Sequence, residues 1–575
     1  MCGILLAANR NDPFTHRYLD SLRRRGPDEI GFWSNGRIHI GHARLAIIGL
    51  DRRSTEPLEN SRHVLAYNGE IYNFIEIRDR LKREGIDIPS ANDATVLLHA
   101  WSLWGERILA ELEGFWAFVI YDKQANKLFL VRDQFGIKPL YYSVTADGVL
   151  VASMLKSILE VAPDRKGLDL EALSEYARYQ FTFGNKTFLK CVKKVMPGEV
   201  VEIDLATQAV KSRIYEDIFS PPSEGDVEVT PQWMEETRAL MLRCANESTI
   251  SDTSFTTFCS GGIDSSLITK MVRPEMAYHC NFSDPDCNET FFAQQVVEGT
   301  ATRLFVVNAK EQFNLVDRLS DIVEDFDELT IGSVILPLDD VLEQVKRRYK
   351  VILIGTGGDE LFAGYVRYLL CMGECNQDNY RSLFNRVKKL PRLADRFELC
   401  HRKGDYEIYD FYDPVAEKNF QAAFEGCAPG KNELKAMLRF DARYFLQGLL
   451  NIDDKMCGRH SLEGRPSLLH QKLVRQVQKV SSPSLIRNGE LKPLLREIAE
   501  PYLPSSVIHR KDKMGFTTPI GIFVNHSAHQ IREQITNSRF RDFYKLKHFN
   551  FTAENKYSRE VFGLLILDLW LNRYA

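Results

Sequence analysis

No apolar run in this chain of 575 residues approaches the roughly 18 residues that a membrane-spanning helix needs. The two longest, residues 148–162 and 562–571, are broken by Lys156 and Asp568. The N-terminal stretch lacks a basic leader and its apolar part stops at Asn9, so a secretory signal is not expected. A basic excess is lacking too: 74 Lys plus Arg stand against 78 Asp plus Glu, a net charge of -4. That balance argues against a protein that coats nucleic acid. The 11 cysteines form no CxxC pair, and without an export signal they read as reduced, buried small hydrophobes. Internal repeats and low-complexity blocks are also missing. The expectation is a cytoplasmic protein that engages neither membrane nor nucleic acid. Its composition, 44% hydrophobic and 26% charged, is that of a folded chain, and its length allows about two to four domains.

Short strand-like runs, bounded by Gly, Asn or Asp, mark the N-terminal part at 37–46, 63–68, 117–122, 127–132 and 149–153. Helical spacing of apolar residues falls between them at 74–84 and 94–111. Strands with few intervening helices predict an α+β layered domain. The segment FSPPSEGDVEVTP from Phe219 has neither periodicity and is placed in a linker, residues 216–231. Beyond it an amphipathic stretch at 233–248, a strand-like 254–259 and a helical 265–271 introduce helix–strand alternation, which 345–354 repeats. This predicts a parallel sheet covered by helices, and from about Tyr365 the chain reads as mostly helical.

Cys2 follows the initiator Met and precedes Gly3. Methionine removal, favoured before a small residue, would leave a thiol and a free α-amine on one residue. The amine, with an ordinary pKa near about 7.7–8.0, can serve as the base that activates the thiol. Downstream come Arg25-Gly26-Pro27-Asp28, Gly41-His42-Ala43-Arg44-Leu45, Asn68-Gly69-Glu70-Ile71-Tyr72-Asn73 and Asn92-Asp93. Asn68 and Gly69 offer the amide and backbone donors of an oxyanion hole. Arg44 suits a carboxylate and Asp93 an ammonium group. With Val131-Arg132-Asp133-Gln134-Phe135-Gly136-Ile137-Lys138-Pro139-Leu140-Tyr141-Tyr142 further on, this part resembles the class II glutamine amidotransferase domain of glutamine-dependent asparagine synthetases. The resemblance implies that Cys2 is the nucleophile and that Arg44, Asn68, Gly69, Glu70 and Asp93 hold glutamine and its tetrahedral intermediate. One departure is Thr95, where the family usually has Glu.

The run Cys259-Ser260-Gly261-Gly262-Ile263-Asp264-Ser265-Ser266 lies between strand-like and helical segments. Its glycines and serines present backbone and hydroxyl donors at a helix start, an anion site. No lysine closes it, so it is not the GxxxxGK[ST] loop. It resembles the pyrophosphate loop of ATP pyrophosphatases. Gly355-Thr356-Gly357-Gly358-Asp359-Glu360-Leu361-Phe362-Ala363-Gly364-Tyr365 resembles the second element of the same synthetase family. By that resemblance Asp264 and Asp359 bracket Mg²⁺, and Ser260, Gly261, Gly262, Ser265 and Ser266 hold the phosphates of ATP. Gly355 and Gly357 would let the backbone approach the nucleotide. The segment from His509 to Phe516 resembles the family's late lysine-Gly-Phe stretch, whose catalytic lysine is placed at Lys513, with Lys511 as the other choice. A carboxylate assisting ammonia attack is expected in the acidic segment at Glu324 or Glu328.

The resemblance spans essentially the whole chain. It implies an α+β N-terminal nucleophile hydrolase sandwich at residues 2–215, followed at 232–575 by an α/β ATP-pyrophosphatase domain with a parallel sheet and a mostly helical C-terminal part. It also implies a homodimer. The expected reaction is glutamine-hydrolysing, ATP-dependent amidation of a carboxylate, aspartate to asparagine, with release of AMP and pyrophosphate. The acceptor side departs from the family: Gly332 and Ile354 replace its Arg and Ser, and Asp454–His470 keeps its pattern only in part. That opens a second reading, the same chemistry on a sugar, peptide or specialised-metabolite carboxylate. A third, a catalytically silent scaffold, is opposed by Cys2, the Ser260–Ser266 run and Asp359.

Overall fold

The computed structural model describes residues 1–10, 16–50, 54–88, 92–220, 226–330, 332–375, 377–402, 414–428, 432–510, 518–541 and 558–575. The N-terminal part is two antiparallel six-stranded sheets packed face to face. One runs in the order Lys193–Lys194, Tyr141–Thr145, Gly148–Ala152, Gly3–Ala8, Ile38–Arg44, Glu29–Ser34. The other runs Val210–Ile214, Glu199–Asp204, Lys127–Arg132, Gly114–Asp122, His63–Ile71, Leu58–Glu59.

Period-two alternation sorts the side chains between layers. Ile4, Leu6 and Ala8 meet Val64, Ala66, Ala117 and Val119 between the sheets. Leu5 and Ala7 face outward onto Leu19, Leu22, Leu155 and Ile158. On the far side, helices Phe74–Arg83 and Asp93–Trp104 cover Leu65, Tyr67, Phe118 and Ile120. Strands Gly3–Ala8 and Gly114–Asp122 are buried at every residue, as befits central strands covered on both faces. The exposed edge strand Val210–Ile214 carries Lys211 and Arg213, charges that discourage edge pairing. Pairing of Gly3 with Ala43 sets Cys2 at the end of its strand, beside Arg44 and Leu45.

Helix Pro231–Glu247 opens the second part, with Thr230 accepting from the Trp233 N–H and Pro231 in the first turn. A five-stranded sheet follows in the order Arg303–Asn308, Met276–Asn281, Phe255–Phe258, Val351–Ile354, Glu463–Pro466, every pair parallel. The last of these strands falls in the stretch that reads as helical. Its Glu-Gly-Arg-Pro sequence has no strand pattern, and its register beside Val351–Ile354 comes from tertiary burial of all four residues. Two neighbouring strands, Phe255–Phe258 and Val351–Ile354, end in the loops 259–262 and 355–357, the side of a parallel sheet where ligands bind. Among the described residues no helix is long and apolar enough to cross a membrane.

Candidate active sites

At the first site the Cys2 backbone N–H donates to Asn68 Oδ1 at 3.0 Å, and Arg25 Nε donates to the Cys2 carbonyl at 3.1 Å. Cys2 Sγ lies 3.9 Å from the Leu45 carbonyl oxygen. Asn68 is fully buried and its Nδ2 has no protein partner, so the oxygen positions Cys2 while the amide donors remain for a developing negative charge. Gly69 follows on the same strand, where a Cβ would stand 2.2 Å from the Phe115 carbonyl oxygen; only glycine fits. Burial pushes the Cys2 thiol above its ordinary pKa, opposed by the nearby chain-terminal amine.

The other expected glutamine ligands are anchored around it. Asp93 accepts from Tyr67 Oη (2.7 Å) and from the N–H groups of Ile71 (3.2 Å) and Ala94 (3.0 Å). Burial still raises its carboxyl pKa, against those bonds. Next to it, Asn92 caps helix Asp93–Trp104 by accepting from the Thr95 N–H at 2.9 Å, so Thr95 serves the cap through its backbone. Arg44 donates to Glu29 at 2.9 Å and to the carbonyls of Ile48 and Gly49, fixing the loop after its strand. Glu70 pairs with Arg465 of the parallel sheet at 3.1 Å; burial pushes its carboxyl up and that guanidinium opposes the shift. A residue that sequence reasoning missed is Glu56. It accepts from the Tyr67 N–H at 2.6 Å, lies 3.8 Å from His42 Nε2, and burial pushes its carboxyl up to about 8. Its signal is tertiary, since it stands outside every motif.

At the second site Ser265 Oγ accepts from the Ser260 N–H (3.1 Å) and shares a hydrogen bond with Ser260 Oγ (2.9 Å). Gly261 has φ +78°, which suits glycine, and Ser266 Oγ is buried without a protein partner. The loop sits at the start of helix Ile263–Val272. Gly355 and Gly358 let the neighbouring loop close onto it: a Cβ at Gly355 would stand 2.8 Å from the Ser265 nitrogen, and one at Gly358 2.0 Å from Asp264 Oδ1. Gly357 is left-handed at φ +96°.

Lys492, which no motif reading singled out, completes this site. Its Nζ lies 2.7 and 2.8 Å from the two Asp264 oxygens and 2.7 Å from Asp359 Oδ1. Burial raises the Asp264 pKa, Lys492 opposes that, and Asp359 adds to it. Two carboxylates converging on one cation are a hard oxygen donor set, which fits Mg²⁺ beside substrate phosphates. Lys492 stands just before helix Pro493–Ala499, more than two hundred residues from Asp264 in sequence, so spacing could not reveal it.

The remaining expected residues are placed differently. Lys513 and Lys511 lie outside the described residues. Arg510, just before them, pairs with Glu289 at 2.7 Å and covers the Phe292 ring, beside Gly261. Glu328 is buried and turned to the glutaminase part, accepting from Tyr141 Oη (2.5 Å) and Lys194 Nζ (3.1 Å). Glu324 is half-exposed and pairs with Arg573 at 3.3 Å. Among the described contacts neither joins the Asp264–Asp359–Lys492 cluster. Elsewhere Cys244, Glu247 and His470 bring ligand-type atoms within 4.8 Å of one another. His470 Nδ1 accepts the Lys472 N–H at 3.3 Å, and its Nε2 lies 2.8 Å from Glu247.

Buried polar contacts join the two parts. Arg25 binds Asp454 at 2.7 Å, Gln471 Nε2 donates to the Gly114 carbonyl at 2.8 Å, and Arg465 binds Glu70, Glu463 and the Ser248 and Ile250 carbonyls.

Comparison with known proteins accords with this architecture. Residues 1–215 match the family model of a glutamine amidotransferase domain, and residues 236–572 match that of asparagine synthase. Asparagine synthetase [glutamine-hydrolyzing] 1 of Bacillus subtilis is 28% identical over 617 aligned positions, covering 99% of this chain and 96% of its own. A putative asparagine synthetase [glutamine-hydrolyzing] of Mycobacterium bovis is 28% identical, covering 87% of this chain and 83% of its own. Among solved structures, glutamine phosphoribosylpyrophosphate amidotransferase from B. subtilis matches at 16% identity and a TM-score of 0.30, over 62% of this chain and 82% of its own. The second family model alone covers more than half the sequence, and the chain belongs to the asparagine synthase family, a glutamine-dependent carbon–nitrogen ligase whose N-terminal part is a glutamine amidotransferase domain.

Proposed function

We propose that the chain converts aspartate to asparagine through an acyl-adenylate, with ATP as cosubstrate and glutamine as nitrogen donor. The observation that carries this reading is the buried contact between the two sites: Arg25 binds the Cys2 carbonyl on one side and Asp454 of the synthase part on the other. The glutaminase unit is taken as 2–215, the linker as 216–231 and the synthase unit as 232–575, in a homodimer.

Freed of Met1, Cys2 carries both nucleophile and base. Its amine takes the thiol proton, Sγ attacks the glutamine side-chain amide, and Asn68 and Gly69 stabilise the oxyanion. Ammonia leaves, and water releases glutamate from the thioester. Arg44, Glu70 and Asp93 fix the amino acid end of glutamine. At the other site Ser260, Gly261, Gly262, Ser265, Ser266 and Lys492 hold the ATP phosphates while an acceptor carboxylate oxygen attacks the α-phosphorus and pyrophosphate leaves. Gly355 and Gly357 keep the backbone close to the nucleotide, and Lys513 stabilises the adenylation transition state. Mg²⁺, held by Asp264 and Asp359, would neutralise charge on the departing pyrophosphate. An interior route keeps ammonia unprotonated and away from water.

A specific observation favours a second acceptor as the alternative. Leu468 and Leu469, both in the segment that departs from the family pattern, pack on Gly358 and Gly357 beside the Asp264 loop. A changed acceptor pocket there would admit another carboxylate. Glutamine labelled with ¹⁵N in its amide, supplied with ATP, Mg²⁺ and aspartate, separates the two. Label in the asparagine amide supports the main reading; labelled ammonia without labelled asparagine sends the search to other carboxylic acids.

A further inference from the structure

The line of buried side chains between the two sites has an acidic middle. Arg25 contacts the Cys2 carbonyl at 3.1 Å and Asp454 Oδ2 at 2.7 Å. The preceding residue on the same helix, Asp453, accepts from Thr356 Oγ1 at 2.6 Å. Thr356 belongs to the loop 355–357, whose Gly355 packs on Ser265 and Asp264 and which leads directly into Asp359. Asp453 is therefore one side chain from the loop of the metal and phosphate site. Its neighbour Asp454 is one side chain from the nucleophile.

The two carboxylates differ in their partners. Asp454 faces Arg25 at 2.7 Å and Lys138 at 3.6 Å, and these cations hold it below the usual carboxylate range. Among the described residues, the hydrogen-bond partner of Asp453 is the neutral hydroxyl of Thr356. Burial and the adjacent Asp454 push the Asp453 carboxyl up to about 7, against Thr356 and the more distant Lys138. Cys457, one turn on, also faces it. Glu324 and Glu328 are less suited to assist ammonia attack, one half-exposed against Arg573 and the other ion-paired with Lys194.

We propose that Asp453, set in place by Thr356, is the base of the amide-forming step. This rests on the adenylation reading above. The ammonia lone pair forms the new C–N bond at the acyl carbon, and the C–O bond to AMP breaks with its electron pair leaving on the AMP phosphate. One N–H proton passes to the Asp453 carboxylate, which releases it to water; the products are amide, AMP and a proton. Below about pH 7 Asp453 holds its own proton and cannot accept another, so amide formation falls as pH drops through that value.

The test uses Asp453→Asn, which keeps an acceptor oxygen for Thr356, with aspartate as the probe. Two rates are measured: aspartate-dependent exchange of label between pyrophosphate and ATP, and asparagine formation from glutamine or from ammonium chloride. The expected result is exchange within about twofold of wild type, a drop of roughly a hundredfold in asparagine formation from either nitrogen source, and loss of the acid limb near about pH 7. Thr356→Val removes the hydrogen bond that both places the carboxylate and favours its charged form, so its acid limb moves to higher pH and its plateau rate falls. Unchanged asparagine formation in Asp453→Asn overturns the proposal, and so does a parallel loss of exchange, which marks a merely structural role. Absence of exchange in the wild type overturns the adenylation reading itself and is recognisable as such.

Discussion

At the glutaminase end, Cys2 stands at the start of a central strand of one sheet, Asn68 and Gly69 lie on a strand of the facing sheet, and sheet register fixes their spacing. At the synthase end the working groups come from loops at the carboxyl ends of two parallel strands and from Lys492, far along the chain. The first site is preformed: hydrogen bonds within the protein hold Cys2, Arg44 and Asp93, and Asn68 Nδ2 is left as the donor that a transition state would use. The second is held by charge, with an ammonium group between two carboxylates where substrate phosphates and a divalent cation would redistribute the partners. A nucleophile needs fixed geometry, whereas a nucleotide site must exchange ligands in each turnover.

Substitutions can break this comparison or sharpen it. Cys2→Ala is expected to lower glutamate formation by at least about a thousandfold, while ammonium chloride still supports amide formation; both products are read by chromatography. Asp264→Asn should do the reverse, leaving glutamate formation and removing pyrophosphate release. Loss of both activities in either variant would mean that the two ends are not separable.

Smaller losses should follow at the supporting groups. Asn68→Ala should cost about 10²–10³ in glutaminase kcat, with little change in ATP chemistry, because it removes one oxyanion donor. Arg465→Met addresses the seam between the two ends. It strands Glu70 and Glu463 as buried, unpaired carboxylates, so thermal or urea unfolding should show a loss of about 3–5 kcal/mol, and KM for glutamine should rise. Rescue of stability by a further Glu70→Gln would confirm that the stranded charge is the cause. The smallest effect is expected at Arg392→Ala, whose exposed side chain, at the cap of helix Leu393–His401, pairs with Asp395 in its first turn; the unfolding transition should stay where it is in wild type, with both activities intact.

The two ends also differed in how much their sequence disclosed. Cys2, Asn68, Gly69 and Asp93 stand within one stretch of short motifs, and the structure gathers them around one strand end. Asp264 and Asp359 were legible because glycines surround them, and the close approach of Gly355 and Gly358 to Ser265 and Asp264 shows why glycine is needed there. Lys492 and Glu56 were not legible, since tertiary packing alone brings them in. Strand Glu463–Pro466 was hidden for a related reason: four residues without alternation take their conformation from a neighbour's register. Arg465 carries two roles that its sequence conceals, bridging the sheet edge to Glu70 and anchoring the Ser248 and Ile250 carbonyls.

The central claim is that a glutaminase and an adenylating site work as one enzyme on a carboxylate. Its most direct test is to quantify glutamate, AMP, ADP and pyrophosphate in one reaction containing ATP, Mg²⁺, glutamine and aspartate, with aspartate omitted as the control. The account predicts AMP and pyrophosphate in equal amounts, both dependent on aspartate, with no ADP. Formation of ADP and phosphate, or glutamate formation with no AMP under any acceptor tried, would contradict it.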